Sequence, residues 1–421
     1  MARSGRKSDF RRVLSIALAL AFLCAAAHAA VKYKVLHKFT GGADGDGPWD
    51  SVTLGPNGIL YGTAAAGGSG TGCTGGCGVV FKLTPHANGK WTETVLHDFE
   101  DNGQDGYDPW SSVTIGAGGH LYGTTTAGGT YKIGTVFELA YGSSGWTESV
   151  LYSFGTNPED GYKPSAGVVM DKQGNLYGTA PEGGSTLFEL TPEQGDWKET
   201  ILHFFNRTKG DGGGPYAGLI LDASGSLYGT TAAGGNGGNG CGSEGYGTVY
   251  KLKPATGGKW KEAILHSFHD NGKDGVTPGS YPLYMDASGS LYGTTEVGGS
   301  PGYGTVFKLT KGANGHWQET ILYDFKPGAT GWFPGAGVVM DAAGNLYGTT
   351  TSGGYGDCGV IYKLAPKPKG KWTYTVLHTF KGPEGCTPVA NLVLDQKGNL
   401  YGSTVLRGID GYYGVIFELT P

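Results

Sequence analysis

The sequence predicts an all-β fold, a seven-bladed β-propeller of four-stranded antiparallel blades. Three observations lead to it: a phrase containing Leu-Tyr-Gly recurs seven times, each copy carries four short strand-like runs, and the copies are spaced roughly 56 residues apart. The copies of the phrase begin at Leu60, Leu121, Leu176, Leu227, Leu291, Leu346 and Leu400.

The third repeat shows the four runs clearly. They are residues 165–171, 175–180, 185–191 and 197–205, and they are rich in the β-branched and aromatic residues that favour strands. The sequence Asp-Lys-Gln-Gly-Asn, which begins at Asp171, joins the first two runs. An aspartate that opens a type I turn and a glycine that closes it are typical of a short β-hairpin. Turn formation therefore accounts for this aspartate without a metal.

The two ends of the chain predict how the ring closes. Residues 33–39 match the fourth run of the other repeats, whereas the seventh repeat ends after its third run. We therefore expect the N-terminal strand to be the outermost strand of blade seven. This arrangement joins the first and last blades and removes two exposed sheet edges.

Composition excludes the main alternatives for a chain with 81 glycines among 421 residues. Collagen needs glycine at every third position, and no such period is present. Disorder is disfavoured because 25 Tyr, 16 Phe and 9 Trp occupy fixed places in the repeat. Glycine at this density indicates many tight turns and close backbone contacts.

Residues 1–29 are predicted to be a signal peptide. Five basic residues precede an apolar run of about 15 residues and a small-residue cleavage site after Ala29, which is the usual order of an export signal. The run is shorter than the roughly 20 residues that cross a bilayer, so we expect no membrane span after cleavage. Residues 30–421 are predicted to form one propeller domain that is secreted or periplasmic.

The charge of the predicted mature chain disfavours nucleic acid as a partner. Removal of five basic residues and Asp9 leaves 26 Lys and Arg against 35 Asp and Glu, a net charge of −9. Such a surface repels phosphate backbones and anionic lipid head groups.

The repeat unit, with its Asp-x-x-Gly-Asn-Leu-Tyr-Gly-Thr-Thr and Gly-Thr-Val-Phe-Lys-Leu-Thr-Pro segments, resembles the GloVer (Gloeobacter/Verrucomicrobia-type) tandem repeat of exported bacterial proteins. The resemblance covers residues 31–421. It implies export and a propeller-like fold, and it implies no particular activity.

Aromatic residues that break the repeat are the candidate ligand-binding residues. They lie in the connections between blades, next to prolines, where they could stack on sugar rings at the channel mouth. The alternative is that they plug the channel or pack between blades. The candidates are Trp49, Trp110, Tyr216, Tyr281 and Trp332.

These features favour a secreted, non-enzymatic binding module for a glycan or another extracellular polymer. A carbohydrate-active hydrolase or lyase is an alternative, with Glu182 and Glu296 as the candidate catalytic carboxylates. A structural or protein-interaction disc of the cell envelope is a third. The sequence contains no nucleophile motif and no metalloprotease motif. If the protein is a binding module, we therefore expect it to have no catalytic activity.

Cysteines and acidic loops supply the remaining candidates. An oxidising compartment favours two disulfides, Cys73 with Cys77 and Cys358 with Cys386, and leaves Cys241 unpaired. Loops such as Asp101-x-Gly103-x-Asp105 partly resemble calcium loops, as does Asp44-x-Asp46 with Asp50. Because the ligand sets are incomplete, we expect turns there, no bound metal and no other cofactor.

Overall fold

A computed structural model describes residues 31–207, 210–236, 245–279, 281–405 and 413–421. These residues form seven four-stranded antiparallel sheets arranged as a propeller, which confirms the predicted fold class. No α-helix occurs in the described ranges. The predicted signal peptide and Cys241 lie outside them.

Each blade has a first, a second, a third and an outer strand, numbered from the channel outwards. The first strands are Thr53–Leu54, Thr114–Ile115, Val169–Met170, Ile220–Leu221, Tyr284–Met285, Val339–Met340 and Val393–Leu394. The second strands are Leu60–Ala64, Leu121–Thr125, Leu176–Ala180, Leu227–Thr231, Leu291–Thr295, Leu346–Ser352 and Leu400–Thr404. The third strands are Val79–Pro85, Thr135–Gly142, Thr186–Glu193, Thr248–Pro254, Thr305–Lys311, Val360–Pro366 and Val415–Thr420. The outer strands of blades one to six are Trp91–Asp98, Gly145–Ser153, Asp196–Phe204, Trp260–Ser267, Trp317–Asp324 and Trp372–Thr379.

The outer strand of blade seven is Lys32–Lys38, as the sequence predicts. It pairs antiparallel with Val415–Thr420, from Lys32 opposite Thr420 to Lys38 opposite Val415. The ring is therefore closed by main-chain hydrogen bonds between the two ends of the described chain.

Short additional pairings place two kinds of loop on one face. The connection that enters a blade pairs with the loop after that blade's second strand, as Gly106–Tyr107 does with Ala127–Gly128. In blade one a single bridge joins Asp46 to Ala66. The same arrangement recurs in the pairs Gly161–Tyr162 with Glu182–Gly183, Gly212–Gly213 with Ala233–Gly234, and Gly275–Val276 with Val297–Gly298. Both kinds of loop therefore lie on the same face of the propeller.

The glycine of the Leu-Tyr-Gly phrase makes room for an aromatic ring that packs on its backbone. Gly178 is paired with Phe188 of the third strand, and the buried ring lies over the glycine. A Cβ atom at Gly178 would lie 2.5 Å from the Phe188 ring, closer than a real contact allows. The same contact recurs in all seven blades, at Gly62, Gly123, Gly178, Gly229, Gly293, Gly348 and Gly402. The phrase recurs because each blade buries one large ring on a backbone that has no side chain there.

The hydroxyl that follows this glycine joins neighbouring blades. Thr63 donates to the Ser111 carbonyl at 2.8 Å and Thr294 to the Ala336 carbonyl at 2.8 Å, each oxygen belonging to the next blade. Ser403 donates to the Asp50 carbonyl at 3.1 Å, so blade seven is joined to blade one in the same way. The hydroxyls of Thr179 and Thr230 have no hydrogen-bond partner among the described residues.

The outer strands meet through a polar cluster that also recurs. In blade two, Tyr152 donates to Asp160 at 2.8 Å and to Glu199 of the next outer strand at 3.2 Å. Five other blades carry histidine in place of Tyr152. Four of these residues contact an aspartate at 3.1–3.3 Å, namely His37, His97, His203 and His266, whereas His378 lies 3.2 Å from Glu384. The histidine position on the outer strand is therefore a position for polar contacts with carboxylates.

Both predicted disulfides are present. Cys73 is bonded to Cys77 within one glycine-rich loop, and Cys358 is bonded to Cys386 across 28 residues of sequence. Two disulfides fit a compartment outside the reducing cytosol. Among the described residues, we find no helix long and apolar enough to cross a membrane.

The contact between glycine and the ring predicts that Gly178→Ala destabilises the protein by about 1–3 kcal/mol, because the new methyl group overpacks the blade. Gly142→Ala is the control, since a Cβ atom there has no atom within 4 Å. Urea unfolding of both variants measures the difference. Equal stability of the two variants would contradict the close packing.

The pKa of Glu199 predicts a pH dependence of stability. Burial, then the hydrogen bond to Asp160, raises the pKa of Glu199 to about 7. A carboxyl group with a pKa raised in the folded state stabilises the fold below its unfolded pKa. That stabilisation is lost as the pH rises through about 7.

We therefore expect the unfolding free energy of the wild type, measured in EDTA, to fall more between pH 5 and pH 9 than that of Glu199→Gln. Because the group is partly exposed, the expected difference is about 1 kcal/mol. Parallel stability curves for the two proteins would show that Glu199 does not titrate in this range.

Candidate functional site

A cavity of about 450 Å³ lies at the mouth of the central channel. It is enclosed by the segments that enter the first strands of several blades, and by the starts of those strands. Its lining combines aromatic rings, hydroxyl groups and backbone with a single carboxylate, Asp50, among the described residues. Trp49, Ser112, Ser165, Tyr281 and Asn391 come from five different blades. A cavity of this size can hold a small ligand such as a monosaccharide.

Trp49 and Trp110 form a stacked pair at the rim of this cavity. Their ring centroids are 5.2 Å apart and their planes differ by 6°. Each residue is about 40% exposed, at 39% for Trp49 and 40% for Trp110. The Trp110 indole N–H donates to Asp108 at 2.6 Å, which fixes the orientation of that ring. The sequence-predicted aromatics of blades one and two therefore form one flat apolar surface beside the cavity.

Asp50 is held by groups from two blades. Its Oδ2 accepts hydrogen bonds from the Ser112 N–H at 2.8 Å and from the Ser112 hydroxyl at 3.0 Å. Its Oδ1 accepts a bond from the Ser51 N–H at 2.7 Å. Because a carboxylate oxygen can accept two hydrogen bonds, Oδ1 retains the capacity to bind a water molecule or a ligand hydroxyl.

Tyr216 and Tyr281 also line the cavity, and each is associated with one of the two predicted catalytic glutamates. The Tyr216 hydroxyl donates to Glu182 at 3.4 Å, a long hydrogen bond. Burial, then the negative charge of Glu182, raises the pKa of Tyr216. Burial, then the charge of Glu296, raises the pKa of Tyr281. Glu182 and Glu296 themselves are not among the described residues that line the cavity.

Trp332 does not join the other four aromatic candidates in the cavity. It lies in the short strand Trp332–Pro334, which pairs with the second strand of blade six, and its ring lies 6.2 Å from that of Tyr303. Trp332 also packs against the core cluster that blades five and six share. It therefore makes packing contacts between blades, which is the alternative interpretation of these aromatic residues.

The sequence does not mark Asp50, Ser112 or Asn391 as parts of a cavity. In the sequence, Asp50 stands out only as one oxygen ligand of a calcium-like loop. Its position immediately after Trp49, at the start of a first strand, was the available signal. In blade two, Ser111 holds the position of Asp50, and Ser112, two residues after Trp110, holds that of Ser51.

The acidic residues of the first calcium-like loop have separate partners. Asp44 accepts hydrogen bonds from Thr40 and His37, Asp46 pairs through its backbone with Ala66, and Asp50 binds Ser112. In the second loop, Asp101 pairs with Lys132 at 3.2 Å whereas Asp105 contacts His97. Local turns and inter-blade contacts thus use these carboxylates.

The sequence matches the family described as the Gloeobacter/Verrucomicrobia repeat over residues 26–241 and 239–421. The chain belongs to this family. The two matches together span the whole propeller, in agreement with the resemblance of the repeat unit. No curated protein sequence matches the chain significantly.

Solved structures of other propellers resemble this repeat protein in fold. One is the periplasmic gluconolactonase of Pseudomonas aeruginosa, with 14% identity and a TM-score of 0.50, covering 84% of this chain and 96% of its own. Another, from Bacteroides fragilis, is described as a 6-phosphogluconolactonase. It has 13% identity and a TM-score of 0.50, and covers 87% of this chain and 99% of its own. At these identities the likeness establishes the fold.

These comparisons correct one prediction. The sequence favoured a non-enzymatic glycan-binding module, and that interpretation is wrong, since the similar solved propellers are named as enzymes. The findings agree better with the alternative, a carbohydrate-active hydrolase or lyase on a propeller scaffold.

The stacked tryptophans predict an energetic coupling in this repeat protein. In a double-mutant cycle, Trp49→Ala and Trp110→Ala should show a coupling of about 0.5–1.5 kcal/mol in urea unfolding. The pair Trp49→Ala and Trp332→Ala is the control, and its effects should be additive. Additive effects in both cycles would contradict the stacked pair.

Proposed function

We propose that this protein is an exported hydrolase that opens a sugar-derived cyclic ester, a lactone, in the cavity at the channel mouth. The observation that carries the proposal is the placement of one carboxylate, Asp50, in a cavity of about 450 Å³ beside the Trp49–Trp110 pair. The named activity of the similar propellers supports the choice of substrate class.

The aromatic pair supplies the binding surface. Sugar rings present C–H groups on one face, and these pack on indole rings with little loss of conformational entropy because the indoles are already stacked. Polar groups elsewhere in the lining, including the Ser165 hydroxyl and the Asn391 amide, can exchange hydrogen bonds with the hydroxyls of the substrate.

Asp50 supplies the proton acceptor. It takes a proton from a water molecule as the water oxygen attacks the lactone carbonyl carbon. The bond between that carbon and the ring oxygen then breaks, and Asp50 returns the proton to the leaving oxygen. The product is the open-chain hydroxy acid, which releases one proton to the solvent near neutral pH.

The charge of the cavity favours an uncharged substrate. None of the described lining residues is Lys, Arg or His. Phosphate groups are usually bound by arginine, lysine or backbone N–H clusters. A neutral lactone therefore fits this cavity better than a phosphorylated one.

The test is a pH-stat assay of the full chain with glucono-δ-lactone, with the spontaneous rate subtracted. Asp50→Asn should lower kcat by about 100-fold or more, because the amide cannot accept the proton. Asp270→Asn, at an exposed aspartate outside the cavity, is the matched control and should keep wild-type activity. Trp110→Ala should raise KM more than it lowers kcat.

The outcome that overturns the proposal is the absence of turnover above the spontaneous rate with a panel of neutral five- and six-membered lactones. Full activity in Asp50→Asn would instead reject the assigned role of Asp50. Faster turnover of a 6-phosphorylated lactone would reject the preference for an uncharged substrate.

A further inference from the structure

Three of the polar clusters between outer strands combine three side chains that can each bind a metal ion. Each has one histidine, one aspartate and one glutamate, whose ligand atoms all lie within 4.8 Å of one another. They are His97, Asp105 and Glu148; His203, Asp211 and Glu262; and His266, Asp274 and Glu319. Each cluster joins two blades, since the glutamate belongs to the outer strand of the following blade.

The carboxylates of these clusters carry buried oxygens without a partner. Asp105 and Asp274 are 8% and 7% exposed, and the Oδ1 atom of each has no hydrogen bond to any residue that the structure describes. The Oε1 atoms of Glu148, Glu262 and Glu319 are likewise buried and unpartnered. Two such carboxylates repel each other unless a cation or a shared proton lies between them.

The other donors hold the aspartates in place and leave these oxygens free. In the first cluster, Asp105 Oδ2 accepts a hydrogen bond from the Glu100 N–H at 3.0 Å and lies 3.1 Å from His97 Nε2. In the third, Asp274 Oδ2 accepts one from the His269 N–H at 3.0 Å and lies 3.3 Å from His266 Nε2. Each Nε2 atom must be free of a proton to bind a metal ion. The His269 ring also lies 3.7 Å from Asp274, so this cluster has a fourth donor nearby.

We propose that these three clusters are binding sites for a divalent transition-metal ion, with zinc as the expected ion, which joins adjacent blades at their outer strands. One imidazole and two carboxylates match the borderline donor preference of zinc, whereas calcium and magnesium prefer oxygen alone. Tetrahedral zinc with bonds of about 2.1 Å separates its ligands by about 3.4 Å, so the clusters need only a small contraction.

The first cluster is open to solvent, which gives the ion a route of entry. A surface crevice of about 680 Å³ is lined by His97, Asp105 and Glu148 together with Trp146 and Asn102. Such an entry path is one requirement of a metal site that loads after folding.

The repeat also contains an internal control. Blade two has Tyr152 where the three clusters have histidine, with the same aspartate and glutamate, Asp160 and Glu199. The Tyr152 hydroxyl donates a hydrogen bond to both carboxylates, and a neutral phenol is a poor ligand for zinc. This fourth cluster is therefore expected to hold a shared proton and no metal.

The experiment is calorimetric titration of the EDTA-treated full chain with zinc chloride at pH 7.5. We expect about three zinc ions per chain at micromolar concentrations, and a higher melting temperature in zinc than in EDTA. Cobalt added in place of zinc should give an absorption band from nitrogen and oxygen ligation.

The substitutions His97→Tyr, His203→Tyr and His266→Tyr copy the arrangement that blade two already uses, so each variant should fold. Each should lower the zinc stoichiometry by one. Glu199→Gln is the matched control and should leave it unchanged. The absence of zinc binding at micromolar concentrations, or a stoichiometry that the three histidine substitutions do not change, would overturn the proposal in favour of shared protons.

Discussion

The antiparallel pairing of Lys32–Lys38 with Val415–Thr420 is the constraint on which the rest of the structure depends. A propeller blade buries its faces only against two neighbours, so an open ring would expose the apolar faces of blades one and seven. The core shows this directly, because Phe39 and Val52 pack in one cluster with Ile416 and Tyr401 of blade seven. Closure also sets the position of the channel-mouth residues. The Asp50 backbone is bound by Ser403 of blade seven and its side chain by Ser112 of blade two.

The fold could be predicted from the sequence because every blade needs the same residue types at the same positions. Phe188 packs on the backbone of Gly178, and a larger residue than glycine would collide with its ring. Every blade with this packing therefore needs a glycine opposite an aromatic residue. The closing strand was predictable for the same reason, since residues 33–39 carry the outer-strand pattern without the three strands that normally precede it. A strand pattern that would be weak evidence in one blade becomes strong evidence when it recurs in seven.

The cavity was less predictable because its residues do not repeat. Trp49, Trp110, Tyr216 and Tyr281 could be selected as exceptions to the repeat, and the structure brings these four together. Trp332 met the same criterion but packs beside Tyr303, because the entering segment of blade six pairs with an extended second strand. Asp50 was missed because an aspartate in a glycine-rich loop is usually explained by turn formation. Only the three-dimensional arrangement shows that Ser112 of the next blade binds its carboxylate.

The polar clusters and the cavity lie at opposite edges of the blade sheets. The clusters lie on the outer strands, where their histidine, aspartate and glutamate hold neighbouring blades together, whereas the cavity lies at the first strands. A substitution in one of these clusters therefore alters the contacts between two blades without contacting the cavity lining. The cavity in turn can vary its aromatic and acidic residues without disturbing the glycine and ring contacts of the blade interior. This separation allows a repeat under strict packing constraints to carry a site of varied chemistry, since the residues that maintain the ring and those that line its centre occupy different positions of the repeat.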